Sequence, residues 1–356
     1  MVLTKNENKL ITTNKDKVHE NRYSNFELLK IVLTVMIIIL HYFNSGMGGL
    51  LGEVEKNSFN YYVSHFIEAL CIVAVNVFII ITGYFSCKKT SIQSSKAMKL
   101  YALSIFYGII ISGIDIFISK PEVNFSLFEK LVTTVFSRWF VVNYCILYLF
   151  IPYINKLINS LSKKQFEILL IINALCFYLW HTFFTKATIA DGGYGIINFV
   201  NLYMVGAYIK LHRNEYISKK KSLCVYLLCT MITMAYSFIT GRAWAYATIF
   251  NLIGSIALFE IFKSINIKNN KVINKLSTFA FSVYIIHENS FISQKLYRIV
   301  FHTNQYWNSG WMLLNLLVTV LGIYVICIMI ESIRILLLKK IFDDKFDKIK
   351  LKIDCE

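Results

Sequence analysis

Charge is scarce in this sequence. Asp, Glu, Lys and Arg make up 16% of its 356 residues, where a soluble domain carries about 25%. That shortage excludes an ordinary water-soluble globule, and the 56% of hydrophobic residues places the chain in the membrane class. Metal and phosphate signatures are missing as well. The eight cysteines, at 71, 87, 145, 176, 224, 229, 327 and 355, form no CxxC pair and no ligand-spaced His/Cys cluster, which argues against a metal site or a disulfide framework. Most lie in apolar runs, where a thiol is a small hydrophobe. There is no Gly-rich phosphate loop, G-x-S-x-G elbow or HExxH, so the templates of soluble enzymes do not apply.

What is present is a succession of apolar runs. Windows of about 20 residues give ten candidate spans, at 28–45, 63–86, 98–118, 139–158, 166–184, 194–211, 222–240, 244–263, 277–297 and 311–337. The expected fold is an all-α integral membrane protein, a bundle of about ten transmembrane helices forming one domain over 26–338. Residues 1–25, polar and without apolar periodicity, read as a disordered tail, and 339–356 as a basic tail. The first span has a long polar leader and no small-residue cleavage site after it, so a retained helix is expected, not a signal peptide.

The formal net charge of +16 is distributed as topology, not as a nucleic-acid footprint. Lysines and arginines crowd into alternate gaps between the spans. With Lys30 set aside, 28 fall in the two tails and the gaps after the even-numbered spans, against eight in the other gaps. The positive-inside rule then puts both termini in the cytoplasm.

Ionisable groups inside a bilayer are costly and are functional candidates by default. The first span, "FELLKIVLTVMIIILHYFNSG", carries Lys30 near its inner end and His41 eleven residues on. Eleven residues are about 16 Å of helix and within about 20° of three full turns, so both side chains share one face. Lys30 is either a snorkelling anchor or the foot of a channel ending at His41, and Glu27 is placed to orient it or to face the cytosol. In the second span Asn76 is either a tether between helices or a substrate contact. Lys96 and Lys99, at i and i+3 at the start of the third, form a surface pair or a compact anion site for a phosphorylated ligand. Trp139 and Tyr144 in the fourth suit an interfacial aromatic belt or a sugar-stacking platform. In the ninth, His287, Glu288 and Asn289 interrupt the apolar run near the expected midplane, which is hard to explain by packing alone.

Taken in order, these segments resemble the membrane-bound acyltransferase 3 family, typified by bacterial polysaccharide O-acetyltransferases. "NFELLKIVLTVMIIILHY" resembles the first helix of that family, with Lys30-x10-His41 where arginine is commoner than lysine. "VNVFIIITGYF" resembles its second-helix block, with Asn76 where aspartate is common. Lys96-x-x-Lys99 occupies the place of an Arg-x-x-Arg motif. "RWFVVNYCILYLFIPYINK" and "FSVYIIHEN" resemble its fourth-helix Trp/Tyr block and its late His-containing helix.

The resemblance implies acyl transfer from cytoplasmic acetyl-CoA, or another acyl-CoA, to a hydroxyl of a surface or capsular glycan or its lipid-linked precursor. It implies a multi-pass protein of the bacterial plasma membrane, associated with polysaccharide assembly, without a metal. On this reading Lys30, Lys96 and Lys99 hold the phosphates of coenzyme A. His41 is a general base or an acyl carrier, His287 and Glu288 orient it or act as second acid/base, and Asn76, Trp139 and Tyr144 contact the acceptor. The alternative is a glycan exporter that performs no acyl transfer.

Overall fold

The computed structural model describes residues 23–184, 191–213, 217–349 and 351–354. In chain order its main helices are α1 (Ser24–Phe43), α2 (Phe59–Cys71), α3 (Ala74–Ser86), α4 (Ser94–Ser119), α5 (Phe125–Phe136), α6 (Trp139–Ser160), α7 (Lys163–Asn173), α8 (Ile196–His212), α9 (Lys219–Ser237), α10 (Ile249–Lys263), α11 (Ala280–His287), α12 (Met312–Leu338) and α13 (Asp343–Asp347). Helices dominate because a bilayer offers no water to backbone N–H and C=O groups, which must pair within the chain.

Among the described residues, seven stretches are long and apolar enough to cross a membrane: Ser24–Phe43, Phe59–Ser86, Ser94–Ser119, Phe125–Ser160, Lys163–Phe183, Gly241–Lys263 and Met312–Leu338. The other three expected spans are helical too, over Ile196–His212, Lys219–Ser237 and, in pieces, 277–300. The protein is therefore an all-α, multi-pass membrane protein. The ninth expected span breaks where its polar triplet falls: α11 stops at His287.

The core is apolar, as in a soluble bundle, but the outer surface is apolar too. On α12 the polar Thr319, Glu331 and Arg334 are buried, whereas Leu314, Leu317, Leu321 and Val325 are exposed. Glu331 and Arg334 turn inward and pair with each other, while the exposed apolar side chains face the lipid. The tightest crossing lies between α3 and α8. A Cβ on Gly83 would fall 2.1 Å from the Tyr203 carbonyl oxygen, and one on Gly206 would fall 2.1 Å from that of Ile80. Two glycines let these backbones touch, which larger residues forbid.

The two ends of the bundle are tied differently. At one end the Ser24 hydroxyl donates to Asn274 Oδ1 (2.9 Å), and strand β1 (Ser91–Gln93) pairs antiparallel with β2 (Lys352–Asp354), Ile92 opposite Ile353. This end carries the lysine-rich gaps. At the opposite end Arg298 clips the loop after α1, its Nε donating to Met47 O (2.8 Å) and its Nη2 to Ser45 O (2.7 Å). Gly49 there has φ +90°, and a Cβ would meet the Arg298 guanidinium.

Both expected tails need adjustment. Residues 1–22 of the first lie outside the described residues, but Ser24 and Asn25 already belong to α1 and are buried. The second is not merely a tail, because α13 and β2 dock onto the lysine-rich end. Its acidic residues explain why: Asp343 and Asp347 meet Lys99.

Candidate functional site

Inside the bundle lies a cavity of about 700 Å³. Lys30, Ser277 and Thr278 line its lysine-rich end, His41, Tyr284 and Glu288 its middle, and Asn44, Ser45 and Gly52 its opposite end. Its walls are otherwise largely apolar and aromatic. Helix α1 forms one wall through Lys30, Thr34, Ile37 and His41, a spacing of four, three and four residues that keeps one face toward the cavity. Lys30 Nζ lies 2.9 Å from Glu27 Oε1, and the Ser277 hydroxyl donates to the other oxygen of Glu27. Glu27 thus holds the lysine at the cavity mouth.

At the centre two histidines from distant parts of the chain meet. His41 Nδ1 lies 2.9 Å from His287 Nε2, and His287 Nδ1 lies 2.5 Å from the Val283 carbonyl oxygen. The partners fix the tautomers of the neutral pair. A carbonyl only accepts, so His287 carries its proton on Nδ1 and presents a lone pair at Nε2. His41 Nδ1 must then donate to it, which leaves the lone pair of His41 on Nε2. A histidine held this way has the form of a positioned base.

The break after α11 is covered by Arg138, which precedes α6. Its Nε donates to Thr134 O (3.1 Å), its Nη1 donates to the Ile285 carbonyl, and Glu288 Oε2 lies 3.8 Å from Nη1. A guanidinium at a helix C-terminus satisfies carbonyls that have no partner within the helix and opposes the negative end of its dipole. Arg138 is 5% exposed, and its Nη2 has no hydrogen-bond partner among the described residues. The Tyr284 hydroxyl is likewise buried without a partner.

Toward the opposite end the lining becomes aromatic. Trp139 stacks on Tyr246 with centroids 5.6 Å apart and planes at 24°, and Tyr194 packs against both, at 4.9 and 5.0 Å. Tyr144, also in the lining, lies 3.5 Å from the Thr82 hydroxyl.

Of the residues singled out in the sequence, Lys30, His41, Glu288, Trp139 and Tyr144 share this cavity, and His287 stands directly behind His41. Asn76 differs: it does not line the cavity. Its amide donates to the Tyr246 carbonyl (2.9 Å) and its oxygen lies 3.4 Å from Asn198 Nδ2, so it tethers helices and fixes an aromatic wall. Lys96 and Lys99 are not in the lining either. Lys96 is exposed, and Lys99 is engaged by Asp343 (3.3 Å) and Asp347 (3.1 Å). Arg138 and Tyr284 were not foreseen. In the sequence Arg138 is one of the eight basic residues in the lysine-poor gaps, and its place immediately before the Trp139 block is its usable signal.

A family model described as an acyltransferase domain matches residues 23–331, which includes every cavity residue named above. No curated protein and no solved structure gives a match. The matched range covers nearly all of the described bundle, and the chain belongs to the acyltransferase 3 family.

Proposed function

We propose that this membrane acyltransferase moves an acetyl group from cytoplasmic acetyl-CoA to a hydroxyl of a surface or capsular glycan, or of its lipid-linked precursor, in a bacterial plasma membrane. The observation that carries the reading is one cavity with Lys30 at its lysine-rich mouth, the His41–His287 pair at its centre and an aromatic wall beyond. A lysine at the mouth and a largely apolar lining suit a phosphorylated head group trailing a slender thioester arm. Lys30 and the exposed Lys96 would face the phosphates, with Lys99 joining them when it leaves Asp343 and Asp347. Trp139 and Tyr144 would contact the sugar.

In this scheme His41 Nε2 removes the proton of the acceptor hydroxyl as its oxygen attacks the thioester carbonyl carbon. The Tyr284 hydroxyl offers a donor for the oxygen that gains charge. The C–S bond then breaks, and His41 returns the proton to the leaving thiolate, giving the free thiol and the O-acetyl ester. His287 keeps His41 in the required tautomer, and Arg138 holds Glu288 and the helix end in place.

The test is transfer of labelled acetyl from acetyl-CoA to glycan in membranes carrying His41→Ala. A positioned base contributes about 10²- to 10⁴-fold in rate, so the label in the glycan should fall by about that factor while the protein inserts normally. Undiminished labelling would remove His41 from the chemistry. Wild-type protein that accepts succinyl-CoA but not acetyl-CoA would redirect the donor assignment.

A further inference from the structure

The outer surface of the bundle carries a second recess for which the scheme above has no use. It is a groove of about 420 Å³ between α4 and α6, with Tyr101, Phe136, Trp139, Asn143, Ile146 and Leu149 in its lining. A break in the chain makes it: α5 ends at Phe136 and α6 begins at Trp139, so the helical wall is interrupted there. The Tyr101 hydroxyl donates to the Phe136 carbonyl (3.0 Å), which supplies a partner that lipid cannot. Phe136 and Ile146 are exposed, so the groove opens toward the hydrocarbon of the bilayer.

Any groove on a lipid-facing surface takes up hydrocarbon, but two features set this one apart. Trp139 lines both the groove and the cavity, so one side chain is shared by the lipid-facing surface and the space that holds His41. From the groove side, Asn143 Nδ2 donates to the carbonyls of Trp139 (2.8 Å) and Tyr194 (3.0 Å), fixing two residues of the aromatic wall. The second feature is length. Helix α6 runs from Trp139 toward the lysine-rich end, where Asn155 Nδ2 donates to the Ser86 and Lys89 carbonyls (both 2.8 Å). Trp139 and Leu149 are ten residues apart, or about 15 Å of helix, half of a hydrocarbon core about 30 Å thick. A chain in the groove therefore covers the depth of one leaflet, with its polar end at Trp139. A lipid-linked sugar needs such a path, because withdrawing its chain from the bilayer costs free energy for every methylene exposed.

We infer that the groove between α4 and α6 holds the hydrocarbon chain of a lipid-linked acceptor, in the leaflet away from the lysine-rich end, and that its sugar enters the cavity past Trp139. Resting on the acyl-transfer reading, this names the lipid-linked precursor, not the finished glycan, as the acceptor. The groove itself performs no chemistry.

The test uses the full chain in phosphatidylglycerol nanodiscs without any acyl donor. Two probes carry a diazirine on a hydrocarbon chain: a polyprenyl diphosphate N-acetylglucosamine and a phosphatidylglycerol. On illumination the first should label Tyr101, Ile146 and Leu149, mapped by mass spectrometry, and the second should label them about tenfold less at equal concentration. Ile146→Trp and Leu149→Trp each fill the groove and should cut labelling by the sugar-bearing probe about tenfold. Ile171→Trp, on the exposed face of α7, should leave it within about twofold. Size-exclusion profiles confirm folding, and either groove variant decides the matter if the other misfolds. Equal labelling by both probes would mark the groove as a seat for boundary lipid only and overturn the inference, as would full labelling in the filled variants. Acetyl transfer to the lipid-linked sugar is assayed separately. Groove-dependent labelling without any transfer from acetyl-CoA would sink the acyl-transfer reading and leave the groove standing. Intact transfer to that sugar in the filled variants would do the reverse.

Discussion

Two buried clusters of charge in this bundle are finished to different degrees. Near the lysine-rich end of α12, Arg334 donates from Nε and Nη2 to the two oxygens of Glu331, both at 2.8 Å, and from Nη1 to Asp343 (3.0 Å). The Tyr107 hydroxyl donates to the same Glu331 at 2.6 Å. Each nitrogen of that guanidinium is used. Around Arg138 and the two histidines, by contrast, Arg138 Nη2, the Tyr284 hydroxyl and Asn289 Nδ2 are buried without partners among the described residues. A saturated cluster has nothing left to offer a ligand and serves to hold helices together. An unsaturated one is incomplete until something else arrives, and here it adjoins the cavity.

Breaking the saturated cluster should have the largest effect on stability. Arg334→Ala leaves Glu331 buried and uncompensated, at a cost of about 3–5 kcal/mol, read as a fall in thermal melting of the solubilised protein. Acetyl transfer per folded molecule should be nearly unchanged; a variant that melts normally but transfers slowly would erase the distinction between the clusters. Next come the glycines of the α3–α8 crossing, which belong to neither cluster. Gly83→Ala and Gly206→Ala each push a methyl against a backbone oxygen 2.1 Å away and should destabilise by about 1–3 kcal/mol, without altering the KM for donor or acceptor.

The sharpest comparison is between two tyrosines. Tyr107→Phe loses a made hydrogen bond and should cost about 1 kcal/mol of stability with transfer intact. Tyr284→Phe removes a hydroxyl that has no partner and should leave stability within about 0.5 kcal/mol while kcat falls. The opposite pattern in the pair would show that partner counts do not separate cement from site. The smallest effect concerns pH. Asp343 is partly buried, which raises its pKa, but hydrogen bonds and charge from Arg334 and Lys99 hold the carboxyl below its usual range. Its contribution is therefore complete above the unfolded value near 3.9 and lost as pH falls below it. Hydrogen exchange in β1 and β2 should rise only in that acid range, and protection already lost at pH 6 would rule the aspartate out as the cause.

The helices are legible in the sequence because lipid demands long apolar runs; in the ninth span the polar triplet is legible too, but not that the helix ends there. The sequence also puts Lys30 and His41 on one face, since that needs only helical periodicity. Contacts between remote residues were not legible. Nothing local to Lys99 says that Asp343 and Asp347 will reach it from beyond the last span, and a basic pair at a helix start reads as an open anion site until they do. Asn76 posed the same problem: an amide in an apolar helix has the same sequence signature whether it meets a substrate or the Tyr246 carbonyl. Arg138 was hidden because a basic residue at a span boundary is the commonest kind, and only its burial against the end of α11 sets it apart.

The hydrogen bond between His41 and His287 spans 246 positions of the chain. A protein inserted helix by helix therefore carries His41 through most of its synthesis without the residue that fixes its tautomer. The paired arrangement exists only once α11 has joined α1, so an unfinished or misassembled bundle holds a histidine that rotates and tautomerises freely. In the proposed acyl-transfer scheme, His41 is therefore a positioned base only once the bundle is complete.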